Sequence, residues 1–272
     1  MTPDLSAVHV PLRLALLRDE LSASRLGKKF HYFDDIGSTN TAARSLAEGG
    51  AMEGEVVIAD AQSAGRGRLG RRWASSPFAN LYFSLVLRPK LAPAEVPQIT
   101  LMAAVALADT VAAFVPDAPT IKWPNDILIG GKKVAGILTE LSCTAERVHY
   151  VILGIGINLN YPAEMMPVDI RQRATSVLHL TGAPVSRESV LKRLIHDLDR
   201  CYGDLEDFGF TPLAARWQAR FALRDRRVRV ELLDQTVTGV ARGIDRDGAL
   251  LLEDDNGMLL RIVAGDVIPV EN

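Results

Sequence analysis

One ten-residue segment, residues 151–160, constrains the fold more than any other stretch of the chain. Successive side chains of a β-strand point to opposite faces of a sheet, and this segment alternates in that way. One set of positions is aliphatic: Val151, Leu153, Ile155, Ile157 and Leu159. The other set, from position 154, is Gly154, Gly156, Asn158 and Asn160. The pattern predicts a strand with one face in the core and a nearly bare second face against which a ligand lies. A bend in a barrel explains the glycines equally well, but it does not call for the asparagines.

The 272 residues are enough for one large domain and a small one. Apolar alternation and turn residues predict strands at residues 29–36, 55–62 and 80–88, and a hairpin over 121–141 that turns at Gly130-Gly131. Helical spacing predicts helices at residues 11–26, 41–48, 95–115 and 212–222, and another from Ser186 toward Gly203 or beyond. The apolar run Ile99 to Val115 is rich in alanine and ends at Pro116, which favours a buried core helix over a membrane span.

The character of the chain changes after residue 223. Short alternating segments follow at residues 228–233, 237–244, 249–253 and 259–263, with turns at Asp247-Gly248 and Asn256-Gly257. Such spacing is typical of a small all-β module. We therefore predict three parts: an N-terminal helical extension at residues 1–28, a main domain at 29–223 and a β module at 224–272.

Residues 65–73 read Gly-Arg-Gly-Arg-Leu-Gly-Arg-Arg-Trp, and we call this segment the arginine loop. Guanidinium groups bind carboxylates and phosphates through paired hydrogen bonds, and glycine lets backbone N–H groups approach an anion closely. Four like charges repel one another and three glycines raise the entropy cost of ordering, so we expect the loop to be mobile until an anion binds. A solvated basic surface loop is the alternative.

Gly65, Gly67 and Gly70 also satisfy the dinucleotide-binding pattern G-x-G-x-x-G. A strand precedes the motif, but residues 71–77 end in Pro77 and open no helix whose N-terminus could bind a pyrophosphate. A P-loop is disfavoured as well, because the chain contains no Gly-Lys-Ser/Thr.

A third polar cluster is Lys122-Trp-Pro-Asn-Asp126. Proline cannot donate to a strand ladder, so Pro124 marks an edge or a bulge that turns Asn125 and Asp126 toward a pocket. On the returning strand the adjacent Lys132 and Lys133 must face opposite ways, and only one can enter the site. Taken singly, each of these residues also has a purely structural explanation.

Composition narrows the class of partner. The net charge is −2, so the basicity of the arginine loop is local and fits a small anion better than a nucleic acid. The two cysteines and five histidines show no metal-ligand spacing, which predicts no protein metal cluster. The N-terminus lacks the pattern of a signal peptide. These features predict a cytoplasmic protein that binds neither nucleic acid nor membrane.

Five segments, in this order along the chain, resemble the biotin protein ligases. They are Gly37-Ser-Thr-Asn40, Gln62-Ser-Ala-Gly-Arg-Gly-Arg-Leu-Gly-Arg-Arg-Trp73, Lys122-Trp-Pro-Asn-Asp126, Lys133-Val-Ala-Gly-Ile-Leu138 and Gly154-Ile-Gly-Ile-Asn-Leu-Asn160. The resemblance is dense from residue 30 to 160 and looser in the β module. It implies an α+β fold in which a mixed sheet with flanking helices, akin to the class II aminoacyl-tRNA synthetases, forms the catalytic ligase domain at 29–223. The C-terminal part is expected to be an SH3-like β-barrel domain.

The resemblance also implies a reaction. Biotin is activated by ATP, with Mg²⁺, to biotinyl-5'-AMP and pyrophosphate, and the biotinyl group passes to a lysine of a biotin carboxyl carrier protein of acetyl-CoA or related carboxylases. Two anions meet in the first step, so cations must neutralise them. No covalent enzyme intermediate is needed, in agreement with the lack of a Ser-His or Cys-His constellation.

Site residues follow from the resemblance position by position. The biotin-binding residues are Ser38, Thr39, Asn40, Gln62, Arg66, Gly67, Arg68, Lys133, Gly136, Gly154 and Gly156. The ATP-binding residues are Arg68, Arg71, Trp73, Lys122, Asn125 and Asn158. Lys133, Arg68 and Asp126 carry the chemistry, with Lys133 neutralising the carboxylate and later the adenylate phosphate. For Asp126 two roles stay open: orienting or deprotonating the acceptor amine, or holding a Mg²⁺ that the phosphates bridge.

Three alternatives accompany this interpretation. For Ser38 and Thr39 the structural alternative is capping of the following helix. The nearest enzymatic alternative is a lipoate or octanoate protein ligase, which needs a long apolar groove. The third alternative is a non-catalytic ligand sensor. The polar Ser38-Thr39-Asn40 turn favours biotin. Some family members repress transcription through an N-terminal helix-turn-helix domain, for which the thirty or so residues before the first strand are too few. The sequence thus predicts a monofunctional ligase, monomeric or homodimeric, that binds no operator.

Overall fold

The computed structural model describes residues 11–17, 21, 24–232 and 234–270, and for Leu16 the backbone alone. Within these residues, twelve strands lie in two sheets. The first sheet contains β1 (Lys29–Ile36), β2 (Glu55–Gln62), β3 (Leu81–Leu87), β4 (Thr120–Lys122), β5 (Asp126–Ile129), β6 (Lys132–Cys143) and β7 (Val148–Ile157). The second contains β8 (Arg227–Glu231), β9 (Thr236–Ile244), β10 (Leu250–Glu253), β11 (Leu259–Ile262) and β12 (Asp266–Pro269).

The larger sheet is mixed, with strand order β1-β2-β3-β7-β6-β5-β4. β1 and β2 are parallel because a helix connects them, whereas the other neighbours are antiparallel. The helices are α1 (Thr39–Glu48), α2 (Pro97–Ala112), α3 (Val168–Arg171), α4 (Val177–Thr181), α5 (Arg187–Phe208) and α6 (Thr211–Ala219). The predicted mixed sheet with flanking helices is therefore confirmed.

The two faces of the sheet are covered unequally. On one face α2, α5 and α6 pack over the main core, which contains the aliphatic positions of β7. On the other face the ten-residue α1 covers only a small cluster that includes Ala43, Ala47, Val57 and Ile152. Gly154 and Gly156 follow Ile152 on this second face, beyond the start of α1. The sheet therefore leaves a gap at the N-terminus of α1, and the candidate site lies there.

The hairpin at Gly130-Gly131 forms as predicted, with positive φ angles of 54° and 77° that suit a two-residue turn. Pro124 lies in the turn between the edge strand β4 and β5 and not in a strand bulge; the register shift of this hairpin occurs between Ile127 and Leu128. The turn still has the predicted effect, because it places Asn125 and Asp126 where β5 begins.

Helix boundaries differ from the predicted ones in instructive ways. α1 begins two residues early, at Thr39, and α2 is shorter than predicted because a separate 3₁₀ turn, Pro93–Glu95, precedes it. The segment Pro93–Ala112 has the length and hydropathy of a membrane span, but 72% of it is buried inside the protein, where α2 packs on α5. It is the core helix that the sequence predicted.

The predicted helix at residues 11–26 is wrong over its described part. A 3₁₀ turn covers Leu14–Leu17 and residues 24–26 are not helical, while residues 18–20 and 22–23 lie outside the described part of the chain. Leu12, Leu17 and Leu21 are nevertheless buried against the core. Their helical spacing therefore predicted correctly that these leucines are buried, but it predicted an α-helix where the structure has a 3₁₀ turn.

The C-terminal sheet is antiparallel with strand order β11-β10-β9-β8-β12. Four of its strands were predicted, and β12 was missed because it offers only two adjacent apolar residues before Pro269. Its arrangement is consistent with an SH3-like domain, but the predicted barrel is not closed: β12 pairs with β8, and among the described residues no ladder joins it to β11.

Candidate active site

A cavity lies where the N-terminus of α1, the arginine loop and strands β3, β6 and β7 meet. It brings together every residue assigned above to biotin, and Trp73 and Asn125 from the ATP set. Its lining consists of Ser38, Thr39, Asn40, Gln62, Arg66, Gly67, Arg68, Trp73, Phe83, Asn125, Lys133, Gly136, Ile137, Leu138, Gly154, Ile155 and Gly156. Its volume is about 60 Å³.

The floor of the cavity is a network of buried polar side chains. The backbone N–H and the hydroxyl of Thr39 donate to Oε1 of Gln62 at 2.9 and 3.2 Å. The hydroxyl of Ser84 lies 2.8 Å from Oγ1 of Thr39 and 2.6 Å from Oδ1 of Asn40. Ser38 is the N-cap residue of α1, but its side chain makes no capping hydrogen bond. Ser38 is therefore not held as a capping side chain, and both Ser38 and Thr39 line the cavity.

Three glycines make room for side chains that close over the sheet. A Cβ at Gly154 would lie 1.9 Å from Oδ1 of Asn40, and one at Gly156 would lie 2.5 Å from Cε2 of Trp73. A Cβ at Gly136 would lie 2.9 Å from Cε of Lys133 and from the Trp73 ring. The bare strand face predicted from the sequence is thus covered by an amide and an indole, which form the wall that a ligand meets.

Lys133 enters the site and its neighbour Lys132 is exposed, as the alternation required. The ammonium of Lys133 lies 2.6 Å from Oδ1 of Asp126 and 5.2 Å from the centre of the Trp73 ring. The indole N–H of Trp73 is buried and has no acceptor within the described residues. Buried donors are nearly always paired, so a ligand atom is the natural acceptor here.

The arginine loop is a small hairpin closed by its own backbone. The N–H of Gly67 donates to the carbonyl of Arg71 at 2.7 Å, and the N–H of Trp73 donates to the carbonyl of Gly65 at 3.0 Å. Each arginine has a partner: Arg66 pairs with Glu140, Arg68 with Asn125 and the Gly265 carbonyl, Arg71 with Asp266, and Arg72 with the Ser63 carbonyl. Two of these partners, Gly265 and Asp266, come from the C-terminal sheet.

Arg68 is the most deeply placed of the four arginines. Burial lowers the pKa of its guanidinium, while the charges of Asp126 and Asp266 act in the opposite direction. A guanidinium remains protonated in proteins even when desolvated. Arg68 therefore presents a poorly hydrated cation to the cavity, which favours an anionic ligand.

Asp266 joins the C-terminal sheet to this cluster of cations. Its carboxylate accepts a hydrogen bond from Arg71 at 2.6 Å and lies 3.7 Å from Nζ of Lys122. Burial by itself raises the pKa of Asp266, but the hydrogen bond from Arg71 and the charges of Lys122, Arg71 and Arg68 outweigh burial and hold that pKa below its ordinary value. A carboxyl with a lowered folded-state pKa stabilises the fold above its unfolded-state pKa, and the effect is lost as pH falls through the folded-state pKa.

We expect Asp266→Asn to lower the free energy of unfolding by roughly 1–2 kcal/mol at pH 7, because partly buried cations lose a charged partner. Urea unfolding from pH 7 down to pH 3 measures the effect, and the gap between the two proteins should narrow below about pH 4. The matched control is Asp255→Asn, which removes an exposed partner of Arg227 in the same sheet and should leave stability unchanged. A gap that is constant over the whole pH range contradicts the assignment.

Three predicted ATP-site residues do not line the cavity. Arg71 and Lys122 meet at Asp266, outside it. Asn158 is buried beyond the end of β7, and its amide donates to the Thr175 carbonyl at 3.0 Å. The alternation of residues 151–160 suggested a continuous ligand face, but the strand ends at Ile157, and Asn158 and Asn160 instead hold the loops that follow.

Three residues at the site were missed from the sequence. Ser84 could have been identified from the sequence, because its hydroxyl stands among the apolar residues of the strand Leu81–Leu87. Glu140 and Asp266 gave no such signal, because charged residues on strands are common and only the tertiary structure brings them to the arginines.

Carboxylates near the site are few and already paired. In the described part of the chain, no group of three or more His, Cys, Asp or Glu side chains is placed to hold a metal ion. Asp126 pairs with Lys133, and Asp266 pairs with Arg71. A divalent ion here needs most of its oxygen ligands from a substrate.

Known proteins share both the sequence and the architecture. Residues 32–158 match the model of the biotin/lipoate A/B protein ligase family, and residues 225–268 match that of the biotin protein ligase C-terminal domain. The chain is 37% identical to the biotin--[acetyl-CoA-carboxylase] ligase of Mycobacterium tuberculosis over 97% of this chain and 98% of that protein. It is 39% identical to the bifunctional ligase/repressor BirA of Bacillus spizizenii over 92% of this chain and 77% of that protein. Among solved structures, the biotin protein ligase of Aquifex aeolicus in complex with biotin and ATP is similar, with a TM-score of 0.77, 27% identity, and coverage of 90% of this chain and all of that one.

Proposed function

This chain belongs to the biotin/lipoate A/B protein ligase family and is a biotin protein ligase, and from that premise we propose how its residues divide the work. The reaction is the ATP-dependent attachment of biotin to a lysine of a carboxylase's biotin carrier domain, through biotinyl-5'-AMP. We propose the biotin carrier domain of an acetyl-CoA carboxylase as the partner protein. We also propose that the reaction takes place in the cytoplasm.

One observation carries the assignment of the substrate: the cavity is polar and neutral at its floor and cationic at its mouth. Thr39, Asn40 and Gln62 form the floor, and Arg68 and Lys133 flank the mouth. Biotin has the matching order of groups, with a neutral ureido ring at one end and a carboxylate at the other. A lipoyl or octanoyl chain has no polar group that could hydrogen-bond to these side chains, whereas a ureido ring has both donors and an acceptor.

The first step joins two anions. A carboxylate oxygen of biotin attacks the α-phosphorus of ATP, a P–O bond forms, and the bond to the β-phosphate breaks to release pyrophosphate. Lys133 lies between Asp126 and the face of Trp73 and can exchange its carboxylate partner for the developing negative charge. Arg68, held by Asn125 and the Gly265 carbonyl, supplies a second fixed cation. Trp73 presents its ring to the adenine and its unpaired N–H to a substrate oxygen.

The second step transfers the biotinyl group to the carrier. The lysine nitrogen attacks the acyl carbon, the C–O bond to AMP breaks, and the amine loses its proton. Asp126 is the carboxylate beside Lys133. When Lys133 turns to the adenylate phosphate, Asp126 becomes free to orient the acceptor amine or to accept its proton.

The donor set fits a Mg²⁺ that would be held mainly by ATP phosphates, with Asp126, the carboxylate beside Lys133, as a protein ligand. When bound, Mg²⁺ neutralises charge on the phosphates. This use of Asp126 competes with its role toward the acceptor amine. Asp126→Asn, assayed separately in the two steps, separates the roles: loss in the first step points to the ion, and loss in the second points to the amine.

We expect the arginine loop to move when substrates enter the cavity. The cavity of about 60 Å³ is far smaller than the ~300 Å³ at the lower end of ordinary ligand pockets. We therefore expect trypsin to cut within residues 63–73 of the ligand-free protein and biotin with ATP to slow that cleavage about tenfold, since closure over the adenylate buries the arginines and excludes water. Mass spectrometry of the fragments measures the rate of cleavage in this loop. Equal cleavage with and without substrates would contradict a loop that orders on binding.

The direct test is incubation of the full chain with ATP, Mg²⁺, biotin and a biotin carboxyl carrier domain, read by an avidin blot. We expect biotin on the carrier lysine and none when ATP is omitted. Parallel reactions with lipoate and octanoate, read by mass spectrometry of the carrier, test the enzymatic alternative. Ligand binding without transfer to any carrier would leave only a sensor and overturn the proposal.

A further inference from the structure

Glu140 lies at the end of the row of β6 residues that faces the cavity. Gly136 and Leu138 line the cavity, and Glu140 is the next residue on the same face. Its side chain is 14% exposed and its two oxygens meet side chains from α1 and from the arginine loop. We propose that Glu140 is a positioning residue for biotin binding: it fixes the amide of Asn40 and fastens the arginine loop through Arg66. The inference rests on the proposed function.

The first effect concerns the orientation of the Asn40 amide. Nδ2 of Asn40 donates to Oε2 of Glu140 at 2.8 Å and to the carbonyl of Leu138 at 3.2 Å, so both of its N–H bonds are used. Oδ1 faces the hydroxyl of Ser84 at 2.6 Å. An amide has two donors and an oxygen with two lone pairs, so Asn40 can offer a substrate an acceptor and no donor. Glu140 thereby selects a ligand that presents an N–H group at this point, as a ureido ring does.

The second effect concerns the arginine loop. Arg66 binds Glu140 through both terminal nitrogens, with Nη1 at 3.1 Å from Oε2 and Nη2 at 2.9 Å from Oε1. Paired bonds of this kind fix geometry as well as charge. The same carboxylate therefore binds Asn40 in the floor of the cavity and Arg66 in the arginine loop. This shared contact fixes the position of the loop relative to the floor.

The charge of Arg66 is also accounted for in this arrangement. Glu140 accepts a further hydrogen bond from Arg44 at 2.6 Å, so its carboxylate lies between two guanidinium groups. Arg66 is consequently a fastening for the loop, and neutralisation of the substrate carboxylate belongs to Arg68 and Lys133. This division separates Arg66 from Arg68, both of which the sequence assigned to biotin binding.

The test is Glu140→Gln in the full chain, assayed by biotin-dependent exchange between pyrophosphate and ATP. Glutamine keeps the size of the side chain but meets the arginines without a charge, and its own N–H group opposes theirs. We expect the KM for biotin to rise about tenfold, the loss of one charge-assisted contact, while kcat and the KM for ATP change less than twofold. Arg66→Gln should also raise the KM for biotin, and the double variant should be no worse than the more impaired single variant, because both changes break one link.

The matched control is Glu48→Gln at the C-terminal end of α1. The carboxylate of Glu48 accepts a hydrogen bond from Tyr150 outside the cavity. It should leave the KM for biotin unchanged. A loss of stability in Glu140→Gln with an unaltered KM for biotin, or equal rises in the KM for biotin and for ATP, overturns the positioning role. The proposed function fails separately, if the wild-type chain itself shows no biotin-dependent exchange.

Discussion

Lys133→Ala is expected to lower the rate of biotin-dependent pyrophosphate exchange by about 10²- to 10³-fold, which is the usual cost of losing one preorganised group at a developing charge. The ammonium of Lys133 lies against Asp126 and the Trp73 ring, and Lys133 is the one lysine among the residues that line the cavity. The measurement is steady-state exchange of labelled pyrophosphate at saturating ATP and biotin.

Lys132→Ala provides the matched control. The two lysines are adjacent on β6, carry the same charge and have the same length, but Lys132 points to solvent. Lys132→Ala should keep its rate within twofold of the wild type. A similar loss in both variants would mean that net positive charge near the cavity matters, and not the placement of one ammonium; normal exchange by Lys133→Ala would remove Lys133 from the mechanism.

Gly154→Ala is expected to weaken biotin binding by roughly tenfold to a hundredfold. The new Cβ would stand 1.9 Å from Oδ1 of Asn40, and overpacking of a buried contact costs about 1–3 kcal/mol. Asn40 cannot move without leaving Ser84 and Glu140, so the cavity floor is distorted with it. Isothermal titration with biotin measures the affinity, and urea unfolding checks that the variant is folded.

The control for this substitution is Gly203→Ala in α5. A Cβ there meets only an arginine nitrogen at 3.5 Å, an ordinary contact, and alanine is the better helix former. It should bind biotin as the wild type does. Undiminished biotin affinity in Gly154→Ala would show that Asn40 does not need its place against β7.

The sequence anticipated the sheet where side-chain alternation was strong. The alternation of residues 151–157 predicted a core face and a glycine face, and both are present, although Asn40 and Trp73 cover the glycines. β12 was missed because it offers only two adjacent apolar residues before Pro269, and a proline argues against a strand. Leu12 and Leu17 are buried without forming the predicted α-helix, and the 3₁₀ turn Leu14–Leu17 packs against α5.

The candidate site was predictable in its members and not in its connections. The arginine loop, the Ser38-Thr39-Asn40 turn and Lys133 come together as the sequence suggested. What covers the glycines could not be predicted, since Asn40 is 114 positions before Gly154 and only the fold brings them into contact. Glu140 and Asp266 were missed for the same reason: a carboxylate becomes significant through the arginine it meets, and both meetings depend on long-range contacts.

The contact of Arg68 with Gly265 limits how freely the two parts of such a chain can be interchanged. The acceptor is a main-chain carbonyl, so its availability depends on the path of residues 265–266 and not on a replaceable side chain. A C-terminal sheet grafted from a relative would have to bring its own carbonyl and acidic group to the same two points, or leave Arg68 with Asn125 alone and Arg71 without its carboxylate. Chimaeras joined before residue 225 should therefore tolerate very little change in the six residues that lead into and form β12, or in the backbone at Gly248, whose carbonyl accepts a hydrogen bond from Trp123.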